Sequence, residues 1–402
     1  MAPPAAHGDS ALSGRLDIAR PTGEDTAAAE AAVRTAGWAD ARRVLAVRLD
    51  NLGDVLMTTP ALRALRQSAS DVRVTLLAGG AGAALAPYLP EVDEVIVAGC
   101  PWMPGSESGA DSMEALVARL RAERFDAAVI FTVYSQSALP AAMLCWMAGI
   151  PLRLAHCREN PYHLLTDWVP DPEPHEILRH EVRRQLDLVA FVGAHTPDER
   201  LSFRVDAGDR HSAIARLREA GVDPLRPYAV VHPGASALSR RYPPELFAAA
   251  LRQFTVLAGE GAPQLVLTGD AGEAELVESV RSACGPTVSL AGKLSLGELA
   301  AVLERAAILI ANNTGPVHLA AALGVPVVDL YALTNPQHAP WKTPCRVLYE
   351  DVPCRYCYRS VCPQGHHACL HLLDPERVAI AARELLDHGA EAAVLPFGIA
   401  KG

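Results

Sequence analysis

From about residue 42 onward, the chain alternates short apolar runs with longer segments of helical spacing. Val44-Leu45-Ala46-Val47 is an unbroken apolar run of the kind a strand covered on both faces requires. After a polar loop, residues 56–67 carry Leu56, Ala61, Leu62 and Leu65 at helical spacing. The same rhythm predicts strands at 72–77, 95–97 and 127–131, with helices at 113–121 and 137–147. Residues 160–174, which hold four prolines, read as loop, and 176–192 as helix. A second series follows, with strands at 228–232, 264–268, 307–311 and 326–330 and helices at 244–257, 273–283, 296–304 and 315–323. Strands that alternate with helices make βαβ units and a parallel sheet. Two successive series predict an α/β chain of two Rossmann-like, doubly wound domains facing a central cleft. Such sheets bind ligands beyond the carboxyl ends of their strands, so the loops there carry the chemistry.

The polar, proline-containing stretch at 196–227 reads as the domain boundary. This divides the chain into a mobile tail (1–40, with a short helix near 24–35), an N-terminal domain (41–210) and a C-terminal domain (211–402). A length of 402 residues accommodates two domains of about 150 residues each. The net charge of −10 argues against nucleic acid as the main partner. A basic stretch, Arg179, His180, Arg183 and Arg184, reads as a solvated helix face, with transient contact to an anionic inner-membrane surface as the alternative. No run of ~20 uncharged apolar residues and no basic-then-apolar leader is present, so a cytoplasmic protein is expected. Its nine cysteines are then expected as reduced thiols or metal ligands.

Three loops in the second series and one in the first stand out. Asn312 to His318 follows an apolar strand and opens a helix. A helix start offers free N–H groups and a positive dipole end to an anion. Asn313 or Thr314 would cap it, Gly315 would let a phosphate approach, and Pro316 fits where no N–H is needed. An ordinary capped helix start is the competing reading. The loop from Pro233 to Pro243 ends in Arg240-Arg241, and guanidinium groups pair well with phosphate oxygens. The loop Thr268 to Glu273 offers Asp270 and Glu273 where a ribose would be met. In the first series, Asn51-Leu52-Gly53-Asp54 follows the first strand. Gly53 reads as a sharp turn, and Asp54 as either an N-cap or a general base aimed into the cleft.

Taken in order, these motifs resemble glycosyltransferase family 9, the heptosyltransferases, over about residues 42–385. The likeness rests on Arg48 to Leu56 with Thr59-Pro60-Ala61-Leu62, on His232-Pro233-Gly234-Ala235 with Arg240 to Pro243, on Gly292 to Leu296, and on Asn312 to His318 with Leu323 to Pro326. The resemblance implies a GT-B fold and an inverting transfer that needs no metal. The donor would be an ADP-sugar on the C-terminal domain. The acceptor (a glycan such as a lipopolysaccharide core, a protein or a small molecule) would lie on the N-terminal domain near Asn51 and Gly53. By the same resemblance Asp54 is the base, Arg240 neutralises the diphosphate, Thr314 and Gly315 cradle it, His318 lies near the donor sugar, and Asp270 or Glu273 meets the ribose. Many relatives have Asp where this chain has Asn313, a lost charge that bears on sugar choice. Competing readings are a GT-B enzyme acting on a UDP-sugar, as transferase or epimerase, and a non-catalytic sugar-nucleotide-binding protein.

Cys354, Cys357, Cys362 and Cys369 fall within sixteen residues, with His366 and His367 among them. Thiolates suit a closed, structural zinc or iron site, and some protein-glycosylating members of the resembled family carry such an iron. Packed reduced thiols or paired cysteines are the alternative. Cys100, Cys145, Cys157, Cys284 and Cys345 read as buried thiols.

Overall fold

The computed structural model describes residues 37–105, 109–332, 335–357 and 359–387. The first sheet contains β1 (Arg43–Val47), β2 (Arg73–Ala78), β3 (Glu94–Val97), β4 (Ala127–Ile130), β5 (Leu152–Cys157) and β6 (Asp167–Pro170), ordered β3-β2-β1-β4-β5-β6. The second contains β7 (Tyr228–His232), β8 (Gln264–Leu267), β9 (Val288–Ser289), β10 (Ile308–Asn312), β11 (Val327–Leu330) and β12 (Cys345–Leu348), ordered β12-β11-β10-β7-β8-β9. Every pairing is parallel, and both sheets follow one plan, in which the chain steps outward from the first strand and then returns to its other side. The order therefore reverses between β1 and β4 and again between β7 and β10, the two places where such sheets open a crevice.

The longer helices are α1 (Leu52–Gln67), α2 (Ala110–Glu123), α3 (Leu139–Met147), α4 (Glu181–Ala190), α5 (Ala207–Glu219), α6 (Pro244–Ala258), α7 (Ala274–Cys284), α8 (Leu296–Glu304), α9 (Gly315–Leu323) and α10 (Pro375–Asp387). They bury the sheet faces, which explains why β1, β4, β7 and β10 read as continuous apolar runs. Within α1, Pro60 has no N–H for the carbonyl of Leu56, and the Thr59 hydroxyl donates to that oxygen instead, at 2.7 Å. The Thr-Pro pair of the motif thus keeps the helix continuous through a proline.

Several expectations change. α1 starts at Leu52, not 56, and α4 starts at Glu181, not 176. The stretch read as loop at 160–174 contains β6, an edge strand whose terminal Pro170 sits where a missing N–H costs little. Strands β5, β9 and β12 were not anticipated. The tail does not extend to residue 40: Trp38 is buried and its indole N–H donates to Asp167 at 2.9 Å. Residue 210 falls inside α5, which packs on α8, so the chain has joined the second half before Ala207. The helix expected near 24–35 lies outside the described residues.

The basic stretch is neither a solvated face nor a membrane patch. Arg184 is fully buried and bonded to Asp171 and Glu173. Arg179 binds Glu173 and Asp187, Arg183 binds Glu199, and buried His180 bonds the Ala339 carbonyl at 2.8 Å. The three arginines are paired with carboxylates, and His180 reaches the second half through the Ala339 carbonyl. Among the described residues no helix is long and apolar enough to cross a membrane.

Candidate active site

At the first reversal point, β1 delivers Arg48 into a fully buried position. Its guanidinium meets Asp50 at 3.1 Å, Asp54 at 3.3 Å and Glu181, at the start of α4, at 2.9 Å. One cation faces three carboxyl groups. Burial works against the charge on Arg48, but the carboxylates outweigh it and raise its pKa further. Burial likewise pushes the Asp50 carboxyl upward, opposed by Arg48. Asp54 is not the N-cap of α1. That position belongs to Asn51, whose side chain makes no capping bond, and Asp54 lies in the first turn, held by Arg48.

The second reversal point has the opposite character. Asn312, at the end of β10, accepts from the Tyr242 N–H at 3.0 Å and donates to the Pro233 carbonyl at 2.7 Å, which fixes the loop after β7. Neither expected cap is made at α9. Thr314 forms no capping bond, and the Asn313 amide donates instead to Asp329 and to the His338 carbonyl, both at 2.9 Å. Pro316 has no N–H and that of Val317 donates to the Thr314 carbonyl at 3.0 Å, so among the described residues it is the Gly315 N–H that has no side-chain acceptor. Around it, Arg240 Nε, His318 Nδ1 and His338 Nε2 are buried without a hydrogen-bond partner among the described residues. Buried polar atoms are rarely left this way unless something else completes them. Burial pushes His318 down to about 4, reinforced by His338 and Arg240 and opposed by Asp54, so it is neutral at pH 7. Burial also pushes Asp329 up to about 8, so the carboxyl group beneath Asn313 holds a proton at neutral pH.

The two points meet. α1 packs on α9, and a Cβ on Gly53 would lie 2.7 Å from the His318 ring. Gly53 is thus required by this close approach, not by the turn expected of it. The structure brings Asp54, Gly53, Asn313, Gly315 and His318 to one junction, with Arg240 near enough to shift His318. Asn51 stands exposed at its edge. Asp270 instead accepts from the Glu273 N–H at 2.9 Å in a reciprocal capping box. The Glu273 carboxylate lies over Gly234, where a Cβ would come within 2.0 Å of it.

Sequence reading missed Arg48, Asp50, Glu181, Asp329 and His338 as parts of the site. A charge inside an apolar strand run was the available signal for Arg48 and Asp329. Nothing local marked Glu181, which meets Arg48 from 133 positions away.

Cys354, Cys357, Cys362 and Cys369 gather around one small cavity, with Cys354 Sγ 3.8 Å from His366 Nε2. Burial opposes it, but the backbone N–H groups of residues 364–367 hold the Cys362 thiol below its ordinary range. Among the described residues, no three potential ligands are arranged to hold a metal ion. No disulfide joins any cysteine, and the other five are buried. The segment braces the Arg240 turn, since Ser239 Oγ donates to the Ser360 carbonyl at 2.6 Å.

The model of glycosyltransferase family 9 (heptosyltransferase) matches residues 113–368. Lipopolysaccharide heptosyltransferase 2 of Escherichia coli K12 is 25% identical over 86% of this chain and 98% of its own. Among solved structures, a family 9 glycosyl transferase from Veillonella parvula superposes with a TM-score of 0.71 at 23% identity, covering 86% of this chain and 97% of its own. E. coli ADP-heptose LPS heptosyltransferase II gives 0.67 at 23% identity, over 86% and 98%. These superpositions identify the two-domain fold as GT-B.

Proposed function

The chain belongs to glycosyltransferase family 9, the heptosyltransferases, and is a glycosyltransferase; we propose that it transfers a heptose from ADP-heptose to an acceptor hydroxyl, with inversion, Asp54 acting as general base. The observation that carries this reading is the meeting of α1 and α9, with the Asp54 carboxylate on one helix start and the Gly315 N–H, beside Arg240, on the other. Asp54 takes the acceptor proton as the acceptor oxygen bonds to the anomeric carbon. The bond from that carbon to the ADP phosphate breaks, and its electron pair leaves with ADP. Negative charge builds on the departing phosphate, where the dipole of α9 and Arg240 would stabilise it. Attack from the Asp54 side and departure toward α9 give inversion in one displacement. His318, neutral and buried, would donate or accept a hydrogen bond beside the sugar without adding charge. Asn51 and Gly53 lie on the acceptor side, Thr314 and Gly315 on the phosphate side, and Asp270 near the ribose.

These groups supply base, dipole and cation from the chain itself, so transfer is expected to persist in EDTA. Zinc or iron at the four thiols would be structural, because four thiolates leave no open position. The donor set suits such an ion, but its ligands must draw closer than they stand. Elemental analysis of the purified protein tests that assignment. The function is tested by ADP release from ADP-heptose with an acceptor panel, and by NMR of the product's anomeric configuration. Turnover of UDP-sugars in place of ADP-heptose, or a retained configuration, overturns it.

A further inference from the structure

A cavity of about 280 Å³ opens at the first reversal point, between the carboxyl ends of β1 and β4. One wall is polar, made by Asp50, Thr132, Ser135, Gln136 and Ser137, and the other is apolar, with Trp102, Met103 and Phe131. Small-molecule sites run from about 300 to 1,000 Å³, so this one suits a single ring. Its polar wall is rigid. Gln136 Nε2 donates to Asp50 Oδ1 at 2.5 Å, and Arg48 grips the other oxygen. Asp50 and Asp54 share that same guanidinium, so the cavity adjoins the proposed base.

We propose that this cavity is the subsite for an acceptor sugar that is uncharged or bears an amine, and that it rejects acidic or phosphorylated ones. The inference rests on the reading of Asp54 as the base of a sugar transfer. Its support is the charge of the walls. Among the described residues no lysine, arginine or histidine lines the cavity, whereas Asp50 does. A second carboxylate, Glu159, accepts from Ser137 at 2.8 Å beside it. The cation bound to Asp50, Arg48, is fully buried and already shared among three carboxylates. Arg158, beside Glu159, is engaged by Asp171 and by the Tyr134 and Glu173 carbonyls, so an anionic sugar would meet the Asp50 carboxyl before any open cation, the repulsive element that specificity often uses. A hydroxyl or ammonium group would instead donate to Asp50, while the C–H face of the ring rests on Trp102 and Phe131.

Three aryl glycosides test this in the full-length protein by calorimetry: phenyl glucosaminide, phenyl glucoside and phenyl glucuronide. The glucosaminide is expected to bind at least about tenfold more tightly than the glucuronide, with the glucoside between, since a charge-assisted hydrogen bond is at stake. Asp50→Asn should collapse that spread while keeping glucoside binding. Gln136→Leu, which removes one support of Asp50 but keeps its carboxyl group, should weaken all three and preserve their order. Equal or tighter glucuronide binding, an order unchanged in Asp50→Asn, or no binding of any probe overturns the proposal. ADP titrated into the same samples reads the donor side separately, so loss of ADP binding would count against the transfer reading and not against the subsite.

Discussion

The two halves of this protein share one strand order and differ in what they present at the point where that order reverses. The first half offers carboxylates, Asp50 and Asp54, braced by a buried arginine and Glu181. The second offers the Gly315 N–H at a helix start, Arg240 and the neutral imidazole of His318. The scaffold supplies a crevice in both cases, and the residues after the first and fourth strands decide its sign. A carboxylate-rich crevice attracts hydroxyl and amine protons, and an N–H-rich one attracts phosphate. Facing each other, they separate the two charges that a glycosyl transfer develops, a proton leaving the acceptor and an anion leaving the donor.

The contrast can be broken from either side. The largest effect is expected from Asp54→Asn, which should lower turnover about 10³-fold with an unchanged unfolding midpoint, measured by ADP release and thermal melting. Near-normal turnover would assign the base elsewhere. Arg240→Ala acts on the other half alone: ADP affinity by calorimetry should fall about 10- to 100-fold while glycoside binding holds. Equal losses at both ligands would mean that the halves do not divide the work as described. Gly53→Ala targets the junction, since the added methyl would stand 2.7 Å from the His318 ring. It should cost about 1–3 kcal/mol of stability in urea unfolding and reduce turnover with little change in ADP affinity. A variant as stable and active as the parent would show that the helix starts need not meet.

The smallest effect concerns pH. His318 sits at about 4 in the folded protein against 6.5 ordinarily. Above pH 6.5 neither state holds its proton, and the residue contributes nothing. Below that, the unfolded chain takes up a proton that the folded protein refuses, so stability falls as pH falls toward 4. His318→Gln should remove about 1 kcal/mol of that loss at pH 5.5, read as a shallower stability-versus-pH curve. A slope identical to the parent's would place His318 in a more hydrated setting. His180 and His232, also pushed down by burial, account for further slope in both proteins.

Much of the site was legible because its parts are contiguous. Arg48 to Asp54 and Asn312 to His318 are strand-to-helix loops, and the periods on either side announce them. Their roles were harder to read. Asn313 passed for a cap because caps and buried amides use the same residue type, and only the position of Asp329 tells them apart. Gly53 passed for a turn because glycine serves both φ freedom and close approach, and the partner that demands it lies 265 residues away. The arginines at 179–184 passed for a surface because helical charge usually is one, and their carboxylates come from loops that no local pattern connects to them.

The sequence by itself determined two α/β halves, their parallel sheets and the loops that end their strands, because apolar period and helix starts are local properties of the chain. The tertiary structure alone decided what those loops mean together. It buried Arg48 among three carboxylates, swung the Asn313 amide away from the helix it was expected to cap, and pressed Gly53 against His318. Each depends on contacts between residues far apart in the chain, where burial sets the strength of a charge and one ångström decides whether a methyl group fits.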